Sequence, residues 1–425
     1  MMFEFEQCLR EFEAGCGRSD EEAKAFLGSD PNLPRFVLGK NEQARWCIRH
    51  RGVRGVVDDR AAPGDEWEGC AVIPANALPS GAIVVNCSTS IRPISAHSRL
   101  AAIDGVRVVA YADLVRASGS VPLPEFVTAF RADYLENRER WDFMLRRLND
   151  LKSRQTVESI MRFRTTGDYR QMSGFSVRFD DQYFDPVVVL SPSEVFVDCG
   201  GFDGDTVLAF LSRQPNYCHI YMFEPSTDNF EKASRRLLGI PNLSLISLAV
   251  SDRPGTLSFD PGAGSASKVT SEGSLAIKAV SLDEYIAARL TYIKMDLEGW
   301  ETKALAGTKR HIINDHPKLA ISVYHDASDF WKIPELVLGL REDYDVYLRH
   351  YSEGWSETVM YFIPRDQRSL PLSTDSGYAR ISSMKRSSEC TGSTVFKTVE
   401  RPRASRARST PRIALSLTMR TISSA

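Results

Sequence analysis

The chain has 425 residues, with 53 Lys and Arg against 55 Asp and Glu, a net charge of -2, 43% apolar and 25% charged residues. This composition excludes a wholly disordered chain, a collagen-like repeat and a coiled-coil rod, and argues against a generally basic nucleic-acid binder. At roughly 100–200 residues per domain the length corresponds to two or three domains.

Residues 1–33 read as an acidic N-terminal segment: positions 1–30 carry eight acidic and three basic side chains. The start, Met1-Met2-Phe3-Glu4-Phe5-Glu6, is acidic, unlike a signal peptide. No apolar run approaches the roughly 18 residues of a membrane span. The eight cysteines are scattered and no pair has CxxC spacing, which predicts neither a zinc site nor a disulfide framework. The expectation is a reduced, cytoplasmic protein without a metal, a membrane span or a nucleic-acid partner.

Residues 34–118 predict a small Rossmann-like α/β domain. Short apolar runs at Arg35–Gly39, Val53–Asp59, Ala82–Asn86 and Val106–Ala110, separated by helical or loop segments, suggest a parallel sheet. The order strand, Gly, helix, strand and acid imitates a dinucleotide-binding start. The glycine fingerprint is absent, because Lys40, Asn41, Glu42 and Gln43 follow Gly39. Residues 119–189 read as a helical linker of one or two amphipathic helices. There Phe126, Phe130, Tyr134, Leu135, Trp141, Leu145 and Leu148 fall near a 3.6-residue period, which assigns them to core packing.

Residues 190–365 carry the chemistry. The apolar run Val195-Phe196-Val197-Asp198 enters the turn Cys199-Gly200-Gly201-Phe202-Asp203-Gly204, and a helix pattern follows. Gly200 and Gly204 allow the turn to pass close to a ligand. His219–Phe223 is a second strand ending in Glu224, 26 residues after Asp198. That spacing suits one strand–helix–strand unit whose terminal carboxylate accepts both hydroxyls of a ribose. A third strand is expected over Asn242–Asp252, ending beside an adenine. A fourth, Thr291–Met295, ends in Asp296 and Glu298; these acids either cap the next helix or orient a ligand at the carboxyl edge of the sheet.

In order and spacing, Asp198–Thr206, Phe223-Glu224-Pro225, Ala249-Val250-Ser251-Asp252 and Asp296-Leu297-Glu298-Gly299 resemble the FkbM family of S-adenosylmethionine-dependent methyltransferases. Ser322–His325, Leu348–Ser352 and Glu357–Tyr361 fit the same pattern. Many members carry Ala-Asn where this chain has Gly201-Phe202. The resemblance implies a class I methyltransferase fold, a seven-stranded mixed sheet with helices on both faces. It further implies that Asp198, Gly200, Gly201 and Gly204 form the loop beside the methionine part of S-adenosyl-L-methionine. Glu224 would hold the ribose, Ala249 and Val250 would flank the adenine, and Asp296 would sit near the sulfonium and the acceptor. Family members mostly methylate hydroxyls of sugars, glycans or natural-product scaffolds, so a small-molecule or glycan substrate is expected.

A hydroxyl must lose its proton, so a general base helps. His325 follows the fifth predicted strand, Leu319–Val323, on the same edge as Asp296, and its neutral imidazole suits pH 7. Asp296 and Glu298 are the alternatives. Two other functions stand against this one: a nucleotide-sugar oxidoreductase or sensor using the N-terminal domain, and a non-enzymatic scaffold. Residues 366–425 hold 20 Ser/Thr, and positions 365–425 carry twelve basic against four acidic residues; a disordered basic tail is expected there.

Overall fold

The structure, a computed structural model, describes residues 3–15, 17–260, 268–269 and 275–367. All of them belong to one compact unit. The expected basic tail lies outside the described residues except for its first two positions.

The acidic start folds into two helices, α1 (Phe5–Glu13) and α2 (Arg18–Leu27). Each buries a narrow apolar stripe, Phe5 and Cys8 on α1, Ala23 and Phe26 on α2, and leaves its carboxylates outside. The first sheet comprises β1 (Arg35–Leu38), β2 (Gly55–Val57), β3 (Glu66–Trp67), β4 (Cys70–Ile73), β5 (Ile83–Asn86) and β6 (Arg107–Ala110), in the order β3-β4-β2-β1-β5-β6. All pairings are parallel except β3 with β4. Helices α3 (Glu42–Arg51), α4 (Pro93–Ala101) and α5 (Tyr111–Ala117) complete this part. Every residue of β1 and β5 is buried, which is why these strands read as unbroken apolar runs rather than alternating ones. The Asn41 side chain accepts from the Ala44 N–H at 3.1 Å and caps α3, so the turn after β1 serves helix capping.

The linker holds three helices rather than one or two: α6 (Glu125–Glu136), α7 (Arg138–Arg147) and α8 (Leu151–Thr166). Its aromatic stripe is core. Trp141 is fully buried, stacks on Phe330 with ring centroids 5.4 Å apart, and donates its indole N–H to Asp133 at 2.8 Å. Leu135 departs from the stripe and is exposed.

The remainder builds a second, seven-stranded sheet. In chain order its elements and neighbours are β7 (Val195–Cys199), α9 (Asp205–Arg213), β8 (His219–Phe223), α10 (Thr227–Arg236), β9 (Leu243–Ile246), β10 (Ala249–Val250), β11 (Gly255–Asp260), β12 (Lys268–Val269), β13 (Leu275–Val280) and α11 (Leu282–Tyr285). They continue with β14 (Tyr292–Met295), α12 (Glu301–Ala306), α13 (Lys309–Asp315), β15 (Lys318–Ser322), α14 (Asp329–Leu340), β16 (Tyr344–His350) and β17 (Thr358–Pro364). The sheet order is β16-β17-β15-β14-β7-β8-β9, parallel except where β17 runs against β15 and β16. The strand order reverses between β14 and β7, and in open α/β sheets that switch point opens a crevice at the carboxyl ends.

The single strand expected over Asn242–Asp252 is two. The chain leaves the sheet after Ile246, and Ala249-Val250 pairs instead with Ala279-Val280 in a four-stranded sheet, β10-β13-β11-β12. The two parts of the molecule are stitched along residues 349–356. The N–H groups of Glu353 and Trp355 donate to the carbonyls of Ile91 (2.8 Å) and Thr89 (3.0 Å), and the Glu353 carboxylate accepts from Ser95 N–H at 2.7 Å. A Cβ on Gly354 would overlap the carbonyl oxygens of Thr89 and Ser90, so this approach requires glycine.

Candidate active site

The carboxyl edge of β7 and β14 holds a buried ion pair. Asp198 is the fourth residue of β7, and Lys294 is its register partner on β14. Lys294 Nζ lies 2.9 Å from Asp198 Oδ1 and donates to the Gly200 carbonyl at 2.6 Å. Burial pushes the Asp198 carboxyl up, to about 6, and Lys294 restrains the rise. Asp198 Oδ1 faces Lys294, while Oδ2 has no hydrogen-bond partner. Gly200 has φ +78°, and a Cβ there would overlap the Asp296 carbonyl oxygen, so the turn after β7 lies directly on the turn after β14.

Glu224, at the end of β8, is 6% exposed. One carboxylate oxygen accepts from the Phe202 N–H at 2.9 Å, the other from the Ser226 N–H at 2.8 Å. Burial holds this carboxyl up at about 7 against the pull of those two N–H groups. A carboxylate has about four lone-pair sites, so each oxygen keeps capacity for a ligand hydroxyl. Ala249 and Val250 are buried in β10, and Trp300 donates its indole N–H to Ser251 Oγ at 3.2 Å.

On the other side of the turn stands a cluster of acids around one imidazole. Asp296 Oδ2 accepts from Tyr183 Oη at 2.6 Å, and Oδ1 accepts from Tyr324 Oη at 3.4 Å. His325 Nε2 lies 3.6 Å from Asp296 Oδ1 and 3.5 Å from Glu298 Oε2, while Nδ1 lies 3.1 Å from Glu301 Oε1. Although burial alone would lower it, His325 is pushed up to about 10, chiefly by Glu301 and further by Asp296 and Glu298. The three carboxylates, which come from the β14 turn and α12, 24 to 29 residues earlier in the chain, favour the protonated ring over the neutral imidazole expected from sequence. The expectation of no metal meets a geometry of ligating type, since Asp296, Glu298 and His325 bring one ligand atom each within 4.8 Å of one another.

Tyr183, Phe202, Glu298 and Glu357 all have positive φ, between 48° and 69°. Such conformations cost energy for residues with a Cβ and gather where a site demands them. Glu357, held up at about 7 by burial and by Asp296, accepts from Gln182 Nε2 at 2.7 Å. The buried Arg164 of α8 donates to the carbonyls of Tyr324 (2.9 Å) and Trp355 (3.0 Å), tying the linker to the site.

The structure thus groups Asp198, Gly200, Gly201, Gly204 and Glu224 on one side of the crevice and Asp296, Glu298 and His325 on the other. Lys294, Tyr183, Gln182 and Glu301 were not singled out from sequence. Lys294 carried a signal, a cation inside the apolar run Tyr292–Met295. Tyr183 carried none, since its loop meets Asp296 only through the fold.

The reversed strand order and the acid-tipped β7, β8 and β14 define a class I methyltransferase fold. Residues 198–352 match the methyltransferase FkbM domain, so the chain carries a domain of that type. The methyltransferase FkbM of Methylobacillus flagellatus KT superposes with a TM-score of 0.65 at 22% identity, covering 84% of this chain and 98% of its own, a likeness of fold. Hexuronic acid methyltransferase AglP of Haloferax volcanii is 30% identical over 97 residues, 21% of this chain. The match spans 41% of that relative's length. Among the described residues no helix is long and apolar enough to cross a membrane.

Proposed function

We propose that the chain is an S-adenosylmethionine-dependent O-methyltransferase acting on a hydroxyl of a sugar, glycan or related polyhydroxylated metabolite, in the cytoplasm. The observation that carries this reading is the arrangement at the β7–β14 switch point. A buried ribose-type carboxylate, Glu224, and a cradle too tight for a Cβ lie on one side; the acidic cluster of Asp296, Glu298 and Glu301 lies on the other.

The residues fit the cofactor. Glu224 is held by two N–H groups in a pose that leaves acceptor capacity for two ribose hydroxyls. Asp198 offers its buried Oδ2, which has no hydrogen-bond partner, beside the glycine turn for the amino-acid part. The carboxylates around the crevice favour a positively charged ligand such as a sulfonium. When bound, S-adenosylmethionine supplies an activated methyl group, the hard part of the chemistry. The protein's own task is to orient the acceptor and exclude competing water. Without a bound cation, the three acids around His325 favour its protonated form, which speaks against a role as the base. In that state Asp296 and Glu298 are the groups able to take the acceptor's proton, and Tyr183 holds Asp296 Oδ2 at 2.6 Å. The name of the Haloferax relative supports a sugar-type acceptor.

The oxidoreductase alternative finds no support. The turn after β1 caps α3 through Asn41, and the glycine fingerprint is absent. Calorimetry with S-adenosylhomocysteine and with NAD tests the choice: binding of the former supports the reading, and binding of NAD alone would overturn it.

A further inference from the structure

We infer that Asp296 Oδ1, Glu298 Oε2 and His325 Nε2 form a divalent-cation site that holds and acidifies the acceptor hydroxyl; this rests on the methyltransferase reading above. The three atoms lie within 4.8 Å of one another, with the imidazole nitrogen 3.5 and 3.6 Å from the two carboxylate oxygens. Two ligands each about 2.1 Å from a common cation, at tetrahedral to octahedral angles, lie roughly 3.0–3.4 Å apart. The two imidazole–carboxylate separations need only a small contraction.

The surroundings point the same way. His325 is 9% exposed at its side chain, and its Nε2 has no hydrogen-bond partner. This buried ring nitrogen is aimed at two carboxylates without hydrogen-bonding either. Behind it, the fully buried Glu301 sits 3.1 Å from Nδ1, as in carboxylate–histidine–metal arrangements where the outer acid fixes the ring and raises its basicity. Asp296 is likewise held through Tyr183, 2.6 Å from the oxygen that does not face the imidazole. Glu298 adopts φ +53°, and its Oε2 lies 3.5 Å from His325 Nε2. Two carboxylate oxygens and one imidazole nitrogen form a hard-to-borderline donor set suited to Mn²⁺ and similar ions.

Three protein ligands leave positions open, as in catalytic rather than structural sites. An acceptor hydroxyl taking one of them becomes more acidic. Its O–H bond then breaks with the electron pair kept on oxygen, and the proton passes to water at the partly exposed rim near Glu298. With the cation bound, Asp296, Glu298 and His325 all serve as ligands, and acidification by the cation takes the place of a carboxylate base.

The test uses the full chain stripped of metal and titrated with Mn²⁺, followed by electron paramagnetic resonance. One saturable Mn²⁺ per chain is expected, with spin-echo modulation from a directly bound imidazole nitrogen. His325→Gln should abolish that modulation, and Glu298→Gln should weaken binding at least tenfold. Glu301→Gln, a positioning change, should weaken it by about 10–100-fold while keeping the nitrogen signal. S-adenosylhomocysteine affinity, measured on the same samples, certifies that each variant is folded. No saturable binding up to millimolar Mn²⁺, or binding undiminished in Glu298→Gln, overturns the cation site. S-adenosylhomocysteine bound without Mn²⁺ leaves the methyltransferase reading standing; Mn²⁺ bound without S-adenosylhomocysteine overturns that reading.

Discussion

The Lys294–Asp198 pair lies at the centre of the crevice, and replacing Lys294 by Met removes the cation that faces a fully buried carboxylate. The pair is dry, with side-chain exposures of 2% and 0% and a 2.9 Å separation. Breaking a buried pair by removing one partner costs roughly 3–5 kcal/mol, because the survivor is left uncompensated. At about 2 °C per kcal/mol, the low end for large domains, the melting temperature should fall by roughly 6–10 °C. The Asp198→Asn/Lys294→Met double variant carries no unpaired charge and should recover most of that loss. The pH dependence has a definite sign. In Lys294→Met, Asp198 rises above the value of about 6 that it holds in the intact pair. An acid whose folded value lies above its ordinary one binds more protons folded than unfolded, so stability increases as pH falls through the folded value. The deficit of the single variant should therefore shrink between pH 8 and pH 5. Differential scanning calorimetry of the two variants and the parent, at both pH values, measures all of this. A single variant as stable as the parent, or a double variant no better than the single, refutes the reasoning.

Glu224→Ala should abolish S-adenosylhomocysteine binding in calorimetry, whereas Glu224→Gln should weaken it by about 1.5–3 kcal/mol, the worth of a charged hydrogen bond. Because burial holds Glu224 at about 7, its ligand affinity should decline as pH drops from 8 to 6, and the Gln variant should lack that component. The same group's contribution to stability moves the opposite way, rising as pH falls from about 7 toward 4.5. His325→Ala, which removes the proposed imidazole ligand, should cut turnover strongly with cofactor affinity nearly unchanged; wild-type turnover would remove His325 from the site. Gly354→Ala should lower the melting temperature by several degrees, since a Cβ there overlaps two backbone carbonyls of the first sheet. An unchanged melting curve would contradict the stitching of the two parts.

Much of the fold was legible because its central strands are buried on both faces. Runs such as Phe196-Val197 and Tyr292–Met295 need no tertiary information to be read as inner strands, and an acid or glycine marks where each reaches the carboxyl edge. The short hairpin of β3 and β4 was not legible, since Glu66-Trp67 and Cys70–Ile73 are edge strands of few residues and mixed exposure. The split at Ser247-Leu248 was hidden because Leu245, Ile246, Leu248 and Val250 continue one apolar run across two sheets. The acidic start concealed α1 and α2, whose buried residues are few and widely spaced. In the site, the edge acids Asp198, Glu224 and Asp296 were visible as strand ends. The acidic surroundings of His325 were not, because they include Glu301 from a helix packed behind it, a contact that no local pattern records.

The most direct measurement is transfer of isotope-labelled methyl from S-adenosylmethionine, by the full chain, to sugar and glycan fractions of its source. The account predicts label in a methyl ether of a carbohydrate hydroxyl, stable to mild base, and lost in Glu224→Ala. Label released by mild base as from a methyl ester, or transfer undiminished in Glu224→Ala, would contradict it.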